Sequence, residues 1–333
     1  MRRVLASILN WNSAEATLEC VDSLLRQRLP GGVELEIWVI DNGSAEEDGK
    51  LLEQGLASRP VHLRREARNH GFAGGHNIAL QAALAAGAEF AWLVNSDAKV
   101  PQDDVLALLL AEMDADPKVG AAAPLLADLN NPDKIYYCGA FHDWGARQSK
   151  RPANVEQARQ WAERMPMQQW VPGTAILLRA KALQATGLLD ERMFAYYEDD
   201  EMGARLSRAG WRSAVAYGAR VQHAMPKRET DRPPYYFYLM ARNYLLFWHG
   251  ATPQPWRRLL WLKLLDYALY HVYSLRAGGH AERAEAALLG VQDFLAGRTG
   301  RPQLERRAGL ALRLAGWMLR PQHRRAWRRA SSA

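Results

Sequence analysis

Cysteine is scarce in this chain, and long uninterrupted apolar runs are missing. The 333 residues contain two cysteines, Cys20 and Cys138, which are too few for a disulfide framework and favour a reducing compartment. The apolar run Val4–Leu9 is too short for the core of a secretory signal. Leu259–Leu275, the best candidate for a membrane span, carries a lysine, an aspartate and a histidine that would be costly at the centre of a bilayer. We therefore expect a globular cytoplasmic protein without a spanning segment.

Acidic residues are scarce in the last third of the chain. From Ala224 to Ala333 there are 19 Lys and Arg residues against 7 Asp and Glu. The preceding part has 24 basic and 29 acidic residues, so the net charge of +7 belongs to the tail. A basic tail suits nucleic acid, an anionic membrane surface or an acidic substrate.

Short apolar runs alternate with helical patterns in the first half of the chain. The expected strands are Val4–Leu9, Leu35–Ile40, Val61–Leu63, Phe90–Val94 and Val119–Pro124. The expected helices are Ala14–Gln27, capped by Ser13, Gly74–Ala86 and Asp103–Met113. This alternation predicts a parallel α/β sheet with helices on both faces. Ligands of such sheets bind beyond the carboxyl ends of the strands, where the sequence puts Asn10, Asp41 and Asn95.

Three polar segments at these strand ends are candidates for binding a nucleotide. Asp41 could accept hydrogen bonds from a nucleobase or ribose, or from its own turn. The glycine-rich segment Arg68–Asn77 is either a phosphate site at the start of a helix or a plain junction, and it matches neither a Walker loop nor G-x-G-x-x-G. Asp97 could bind the Mg²⁺ or Mn²⁺ that accompanies a diphosphate, or cap the next helix.

The acidic cluster Glu198–Glu201 is the strongest single signal in the sequence. It follows the aromatic segment Met193–Tyr197 at the predicted start of a helix. The helix dipole stabilises acids there, but a sugar-binding site also needs a carboxylate within reach of a hydroxyl and aromatic walls beside it. His223 is either structural or a metal ligand. Arg242 and Asn243 either reach a phosphate or lie on a solvated helix face.

Taken in order, seven segments resemble the family 2 glycosyltransferases, in particular their bacterial rhamnosyltransferase-like branch. The segments are Ser7–Asn12, Val39–Ser44, Asn69–Asn77, Leu93–Asp97, Pro172–Ala175, Leu188–Glu191 and Phe194–Asp200. The resemblance implies a GT-A fold, which is Rossmann-like with a mostly parallel sheet flanked by helices, followed by a C-terminal helical extension. Residues 1–230 would then form the nucleotide-sugar-binding and catalytic domain, and 231–333 a basic helical region.

The resemblance also implies an inverting transfer of a sugar, rhamnose in the first instance, from a dTDP- or UDP-sugar to a glycan or lipid-linked acceptor. Asp199 matches the general base, Asp200 stands where the family usually has an aliphatic residue and is a rival base, and Glu198 adjoins them. The residues expected at the donor are Asn10, Asn12, Asp41, Arg68, Gly71, Phe72, Gly74, Asn77 and Asn95. Those expected at a divalent cation, Mn²⁺ or Mg²⁺, are Asp97 and His223, and those at the acceptor are Trp170, Gly173 and Tyr197.

Two departures from the family pattern stand out. Asn95 replaces the first acid of the D-x-D-type motif, so one metal carboxylate is lost. Met202 and Gly203 replace the commoner Leu-Cys pair, which alters the packing of the helix rather than the base.

The tail leaves several interpretations open. Leu259–Leu275 and Leu310–Leu319 indicate either a packed helical core or helices lying on an anionic leaflet, which would make the protein peripheral to the inner face of the cytoplasmic membrane. Arg324–Arg329 combines cations with tryptophan, as headgroup contacts do, and we expect no nucleic-acid partner because no binding motif accompanies it. The helical tail could also pack against a second copy of the chain. A non-catalytic carbohydrate- or nucleic-acid-binding protein on the same scaffold is the alternative to an enzyme.

Overall fold

The computed structural model describes residues 1–253 and 256–318, with the side chains of residues 258–260 and 315–318 left undescribed. The chain forms two compact units. The first consists of Met1–Glu191 and Glu198–Met225, and the second of Arg192–Tyr197 and the chain from Pro226 onward. The short segment Arg192–Tyr197 therefore belongs to the second unit, although both of its neighbours in sequence belong to the first.

The first unit is built from strands and helices in alternation. Its strands are β1 (Arg2–Asn10), β2 (Val33–Asp41), β3 (His62–Arg65), β4 (Phe90–Asn95), β5 (Ala98–Lys99), β6 (Val119–Asp128), β7 (Asn131–Tyr137), β8 (Ala140–Asp143), β9 (Gln148–Lys150), β10 (Gln169–Trp170), β11 (Ala175–Arg179) and β12 (Arg212–His223). Its helices are α1 (Ala14–Leu25), α2 (Glu46–Leu56), α3 (Gly71–Ala85), α4 (Val105–Ala115), α5 (Val155–Arg164), α6 (Ala180–Thr186) and α7 (Glu198–Arg208). The apolar runs of β1, β4 and β6 are almost completely buried, as expected for strands covered on both faces.

A large sheet runs in the order β3-β2-β1-β4-β11-β6-β12-β5, with β7 added beside β6. The pairs among β3, β2, β1 and β4 are parallel, as is the pair of β6 with β12. Strand β11 is inserted antiparallel between β4 and β6. A small antiparallel sheet, β10-β8-β9, lies apart from the main one. The α/β fold with a mostly parallel central sheet is confirmed.

The register of the parallel strands brings the polar strand ends to one edge. Asn10 pairs with Asp41 across β1 and β2, and Leu9 pairs with Asn95 across β1 and β4. On the far side, His223 at the end of β12 pairs with Ala98, next to Asp97 in sequence. The sheet therefore gathers residues from distant parts of the sequence along its carboxyl edge.

Strand β6 extends further than the sequence pattern predicted. The expected strand ended at Pro124, whereas β6 continues through that proline to Asp128. Pairing with β12 shifts register after Ala216, the partner of Pro124. Because proline has no N–H for the ladder, an irregularity at this position accommodates it.

The second unit is helical over most of its described length. Its helices are α8 (Pro234–Ala251), α9 (Trp256–Ala277), α10 (Ala281–Leu295) and α11 (Leu310–Met318), preceded by a 3₁₀ turn at Glu229–Asp231. A Cβ at Gly290 would collide with the main-chain oxygen of Tyr238, so the missing side chain permits the close approach of α10 to α8. Of the helices that the structure describes, none is long and apolar enough to cross a bilayer.

Candidate active site

Asp41 lies at the centre of a hydrogen-bonded turn. Its carboxylate is buried and accepts from Asn10 Nδ2 at 3.2 Å and from the main-chain N–H of Ser44 at 3.3 Å through Oδ1. Its other oxygen accepts from Arg65 Nε at 3.2 Å. The guanidinium of Arg65 balances the charge of this buried carboxylate. An aspartate that served only to stabilise an exposed turn would need no such counter-ion.

Asn10 and Asn12 brace this turn from the end of β1. Asn10 is fully buried, and its Nδ2 also donates to Asp48 Oδ2 at 2.9 Å. Asn12 Oδ1 accepts from the N–H of Ala45 at 2.8 Å. The side chain of Ser13 donates to Asn10 Oδ1 at 3.2 Å instead of capping α1, contrary to the predicted cap. Both asparagines, expected at the donor, thus shape the turn around Asp41.

The glycine-rich segment is fixed to this turn by Asn42, which the sequence reasoning missed. Asn42 Nδ2 donates to the carbonyl of Gly71 at 3.0 Å, and its Oδ1 accepts from the N–H of His70 at 2.9 Å. Helix α3 begins at Gly71, which has a left-handed φ of 76° and suits glycine for that reason. Arg68 is exposed just before this helix start. Asn42 therefore ties the start of α3 to the turn that contains Asp41.

Two of the residues expected at the donor make other contacts. Asn77 is buried and donates to the carbonyl of Leu189 at 3.0 Å and to Glu191 Oε1 at 2.9 Å, while accepting from the Leu189 N–H at 3.0 Å. A Cβ at Gly74 would lie 3.0 Å from His70 Cβ. Asn77 therefore holds the 189–191 loop, and its contact with the donor stays a prediction.

Asn95, Asp97 and His223 come together at the sheet edge. His223 Nε2 lies 3.2 Å from Asp97 Oδ1 and 3.4 Å from Asn95 Nδ2, and its Nδ1 lies 3.2 Å from the hydroxyl of Tyr136. Asn95 Oδ1 is buried without a hydrogen-bond partner among the described residues. Within residues 1–253 and 256–318 no group of three His, Cys, Asp or Glu side chains is placed to hold a metal ion. A carboxylate, an imidazole and an amide oxygen fit a cation whose remaining ligands come from phosphate oxygens.

Asp199 lies in the first turn of α7 and accepts hydrogen bonds from main-chain donors. Its Oδ2 accepts from the N–H of Gly173 at 3.1 Å and its Oδ1 from the N–H of Asp200 at 2.9 Å. Burial, and secondarily the negative charge of Asp200, raises the pKa of Asp199 to about 6. Burial raises the pKa of Glu198 well above its ordinary value, and the charge of Asp199 adds to this. Asp199 is thus ionised at neutral pH and is a stronger base than an exposed aspartate.

Asp200 does not share this environment. Its Oδ1 accepts from Ser149 Oγ at 2.8 Å and lies 3.2 Å from His142 Nε2, and both partners belong to the small sheet of β8 and β9. His142 is itself buried and stacks on Trp170 with centroids 5.7 Å apart. Because Asp200 is held on two side chains, it is a poor candidate for accepting a proton from substrate. The role of Asp200 as a rival base stays a prediction, which these two contacts do not favour.

Comparisons with known proteins decide the family. The model of the family described as "Glycosyltransferase like family 2" matches residues 2–245. This chain belongs to glycosyltransferase family 2. The family resemblance drawn from the seven sequence segments is therefore confirmed, and the chain is an enzyme that transfers glycosyl groups.

Individual relatives of the transferase carry different sugars in their names. The galactofuranosyltransferase GlfT1 of Mycobacterium tuberculosis is 25% identical over 287 residues, which cover 79% of this chain and 89% of that protein. An N-acetylglucosaminyl-diphospho-decaprenol L-rhamnosyltransferase of the same organism is 40% identical over 65 residues, covering 20% of this chain and 21% of its own.

Solved structures share the fold of the transferase. The mannosyltransferase PcManGT from Pyrobaculum calidifontis, in complex with GDP-Man and Mn²⁺, has a TM-score of 0.55 at 20% identity, covering 98% of this chain and 83% of that one. Residues 1–349 of S. aureus TarS, in complex with UDP-GlcNAc, have a TM-score of 0.53 at 14% identity, covering 90% and 93%. These likenesses show the fold.

The residues expected at the acceptor of the transferase occupy different surroundings. Gly173 donates its N–H to Asp199, and a Cβ on it would lie 2.9 Å from the ring of Phe72. Trp170 is 5% exposed and packs against Gly203, and its contact with an acceptor stays a prediction. Tyr197 belongs to the second unit, where its ring centroid lies 5.9 Å from that of Phe247.

Several residues of the transferase site carried no signal of their own in the sequence. Asn42 adjoins Asp41 in a recognised segment and could have been identified there. Arg65, His142 and Ser149 lie outside every recognised segment. The pairing of β3 with β2 brings Arg65 to Asp41, and the pairing of β8 with β9 places His142 beside Ser149, the two partners of Asp200.

Proposed function

We propose that the transferase moves a sugar from a nucleoside diphosphate sugar to a hydroxyl of a glycan or lipid-linked glycan, with inversion at the anomeric carbon. The observation that carries this proposal is the environment of Asp199. A carboxylate with a pKa raised to about 6 is ionised at pH 7 and is better matched to a hydroxyl proton than an ordinary aspartate.

In the proposed mechanism Asp199 receives the proton of the acceptor hydroxyl. As that oxygen forms a bond to the anomeric carbon, the bond from this carbon to the diphosphate oxygen breaks, and the nucleoside diphosphate leaves with its electron pair. The N–H groups of Gly173 and Asp200 hold the carboxylate in place, so that little reorganisation is needed at the moment of reaction. One attack from the face opposite to the leaving group gives inversion.

The donor is proposed to bind along the carboxyl edge of the sheet. Asp41, supported by Asn10 and Arg65, would meet the nucleobase or ribose, and the first turn of α3 with exposed Arg68 would lie near the diphosphate. We favour dTDP-rhamnose first and UDP-sugars second. The rhamnosyltransferase and galactofuranosyltransferase relatives support testing both.

Asp97 and His223, with Asn95 beside them, would hold a Mn²⁺ or Mg²⁺ ion. When bound, such an ion neutralises the charge that develops on the leaving diphosphate. The mannosyltransferase solved with Mn²⁺ supports a cation in the fold. The single carboxylate of this set implies that cation and diphosphate bind together.

Donor binding and turnover test the proposal together. Thermal shift and calorimetry with dTDP, UDP and GDP, and with dTDP-rhamnose and UDP-sugars, should show one nucleotide class that binds better with Mn²⁺ or Mg²⁺ than after chelation. Asp97→Asn should reduce this metal-dependent gain, whereas Asp104→Asn, at a helix start outside the proposed site, should leave it intact. Binding of no nucleotide under any condition would contradict the proposal.

For the tail we propose contact with an anionic membrane surface. Leu310 and Leu314, four residues apart on α11, are 71% and 50% exposed, and Trp256 of α9 is 59% exposed. Residues 310–333 contain six arginines and no acid, a combination that suits anionic headgroups. Arg324–Arg329 lies outside the described residues.

Vesicles containing phosphatidylglycerol should retain the full chain at low salt and release it at high salt, whereas neutral vesicles should not retain it. Retention by neither kind, with dimers in light scattering, would support self-association instead.

A further inference from the structure

The segment that leads into the acidic cluster has an unusual backbone. Phe194, Tyr196 and Tyr197 have φ angles of 65°, 66° and 72°, in the left-handed region that bulky residues rarely adopt. Such conformations persist only where the surroundings hold them, and they concentrate at functional sites. The next residue in the chain is Glu198, followed by the proposed base Asp199.

Asn243 on α8 binds the main chain of this segment at three points. Its Nδ2 lies 2.8 Å from the carbonyl oxygen of Met193, 2.8 Å from that of Ala195 and 2.7 Å from that of Tyr196. The two N–H groups of one amide are thus shared among three carbonyls. The side chain is 0% exposed, so no solvent competes for these bonds.

Arg242 completes the arrangement from the preceding position of α8. Its Nη2 donates to the carbonyls of Arg192 and Met193 at 3.2 and 3.0 Å, and its Nη1 donates to that of Gly300 at 2.6 Å. Its Nε donates to Asn243 Oδ1 at 2.9 Å, which fixes the orientation of the amide. Because both side chains are 0% exposed, neither sequence-based interpretation, a phosphate ligand or a solvated helix face, is correct.

The aromatic side chains of the same segment pack against rings on α8. The ring of Tyr196 meets that of Tyr236 at 4.9 Å in an edge-to-face arrangement, and the ring of Tyr197 lies 5.9 Å from Phe247 and 6.4 Å from Tyr244. These partners all lie on α8. A single helix therefore contacts both the main chain and the rings of residues 193–197.

We propose that Arg242 and Asn243, which we call the Arg–Asn clamp, are positioning residues for the transfer reaction. The clamp holds residues 193–197 in their left-handed backbone, and so fixes Tyr197 and the main chain that continues from it directly into Glu198 and the proposed base Asp199. This inference rests on the proposed role of Asp199. It assigns to α8 a part in acceptor turnover, while the nucleotide contacts at Asp41 stay independent of it.

The sharpest test is Asn243→Asp in the full chain, because this change keeps the shape of the side chain and replaces the amide N–H groups by oxygen. Carboxylate oxygen repels the three carbonyls that the amide binds. Arg242→Lys is the second variant, since it keeps the charge but not the planar set of donors. The matched control is Asn154→Asp, because Asn154 caps α5 through its oxygen, which aspartate also provides.

Chymotrypsin cleavage after Phe194, Tyr196 and Tyr197 reports whether the segment is released, with the thermal midpoint as the measure of global folding. The nucleoside diphosphate that binds best in the donor screen, dTDP or UDP, reports on the nucleotide site. Turnover of the corresponding sugar nucleotide, with water taking the place of the acceptor hydroxyl and receiving the glycosyl group, is followed by release of the nucleoside diphosphate. We expect faster cleavage and a kcat on the order of 100-fold lower in Asn243→Asp, a smaller effect in Arg242→Lys, and nucleotide affinity within about twofold of the unmodified chain.

The outcomes separate this inference from the proposed function. An unmodified chain that turns over no sugar nucleotide contradicts the proposed function, and the cleavage assay then still decides whether the clamp holds the segment. Unchanged cleavage in both clamp variants overturns the inference. Faster cleavage with unchanged kcat also overturns it, because a merely structural clamp would give that result. A global loss of folding in Arg242→Lys without selective cleavage of residues 193–197 overturns it as well.

Discussion

The substitution Asp199→Asn tests two properties of this carboxylate, namely its proposed role as the base and its effect on the stability of the fold. The carboxylate accepts hydrogen bonds from the N–H groups of Gly173 and Asp200, and no counter-ion balances its charge in the part of the chain that the structure describes. An amide removes the base, so turnover should fall to the background level. The nucleotide contacts proposed for Asp41 are not involved, so nucleotide affinity should be retained.

The effect of this substitution on stability has a definite sign. The pKa of Asp199 is raised from 3.8 to about 6 in the folded chain, so the folded state binds the proton more tightly than the unfolded state does. The native chain therefore loses stability as pH rises through this interval, by about 3 kcal/mol at 1.36 kcal/mol per pH unit. The amide of the substituted chain does not titrate and avoids this loss.

Asparagine has a cost of its own at this position, because its NH₂ group faces one of the two main-chain donors. A lost hydrogen bond costs about 1 kcal/mol at any pH. We expect the substituted chain to be more stable than the unmodified chain by about 2 kcal/mol at pH 7.5, and less stable by about 1 kcal/mol at pH 4. In a domain of this size the gain at pH 7.5 corresponds to roughly 4–8 °C in the thermal midpoint.

Thermal and urea denaturation at several pH values between 4 and 7.5 measure this difference. Asp22→Asn is a control of opposite sign, because the hydrogen bonds from Arg59 lower the pKa of Asp22, so its removal should not stabilise the chain at pH 7.5. The activity of the unmodified enzyme should fall as pH drops below about 6, where Asp199 becomes protonated. A substituted chain that gains no relative stability between pH 4 and pH 7.5, or that retains turnover, would refute the reasoning.

Two glycines give further predictions. A Cβ at Gly43, where φ is 72°, would collide with the main chain of Arg68, whereas a Cβ at Gly32, where φ is 78°, would lie in open space. Gly43→Ala should therefore lower nucleotide affinity several-fold. It should also cost more stability than the roughly 1 kcal/mol expected for the control Gly32→Ala. Gly203→Cys, which restores the commoner family residue, should cost about 1–3 kcal/mol in urea denaturation because its Cβ would lie 2.5 Å from Trp170 Cβ. Wild-type stability in the cysteine variant would show that the helix shifts freely.

The departure at Gly203 illustrates what sequence alone can and cannot give. The seven recognised segments identified the family, and apolar alternation identified the sheet, because both depend on local pattern. The same comparison flagged Gly203 as unusual but gave no reason for it. The reason is the close approach of Trp170 on β10, a contact between residues 33 positions apart that no local pattern encodes.

In the candidate site, too, some residues could be named from local sequence pattern and others could not. Asp41, Asp97 and Asp199 could be named from their segments, since strand ends and helix starts are visible as changes of period. His223 lies outside these segments and was named from its place at the end of a short strand. The partners that set their properties could not be named. Arg65 reaches Asp41 only because β3 pairs with β2, so its contact is a product of strand register.

The surroundings of Asp200 explain why four acids can adjoin one another in sequence and still differ in chemistry. Ser149 and His142 hold Asp200 as a fixed negative charge, and that charge helps to raise the pKa of its neighbour Asp199. Such an arrangement costs folding free energy at neutral pH, as functional sites commonly do. Of these two partners, His142 is buried, so its contact with Asp200 is shielded from solvent. The pKa of the proposed base is therefore raised in part by the charge of a neighbouring acid, and substitutions of His142 should act on the pH dependence of turnover before they act on nucleotide binding.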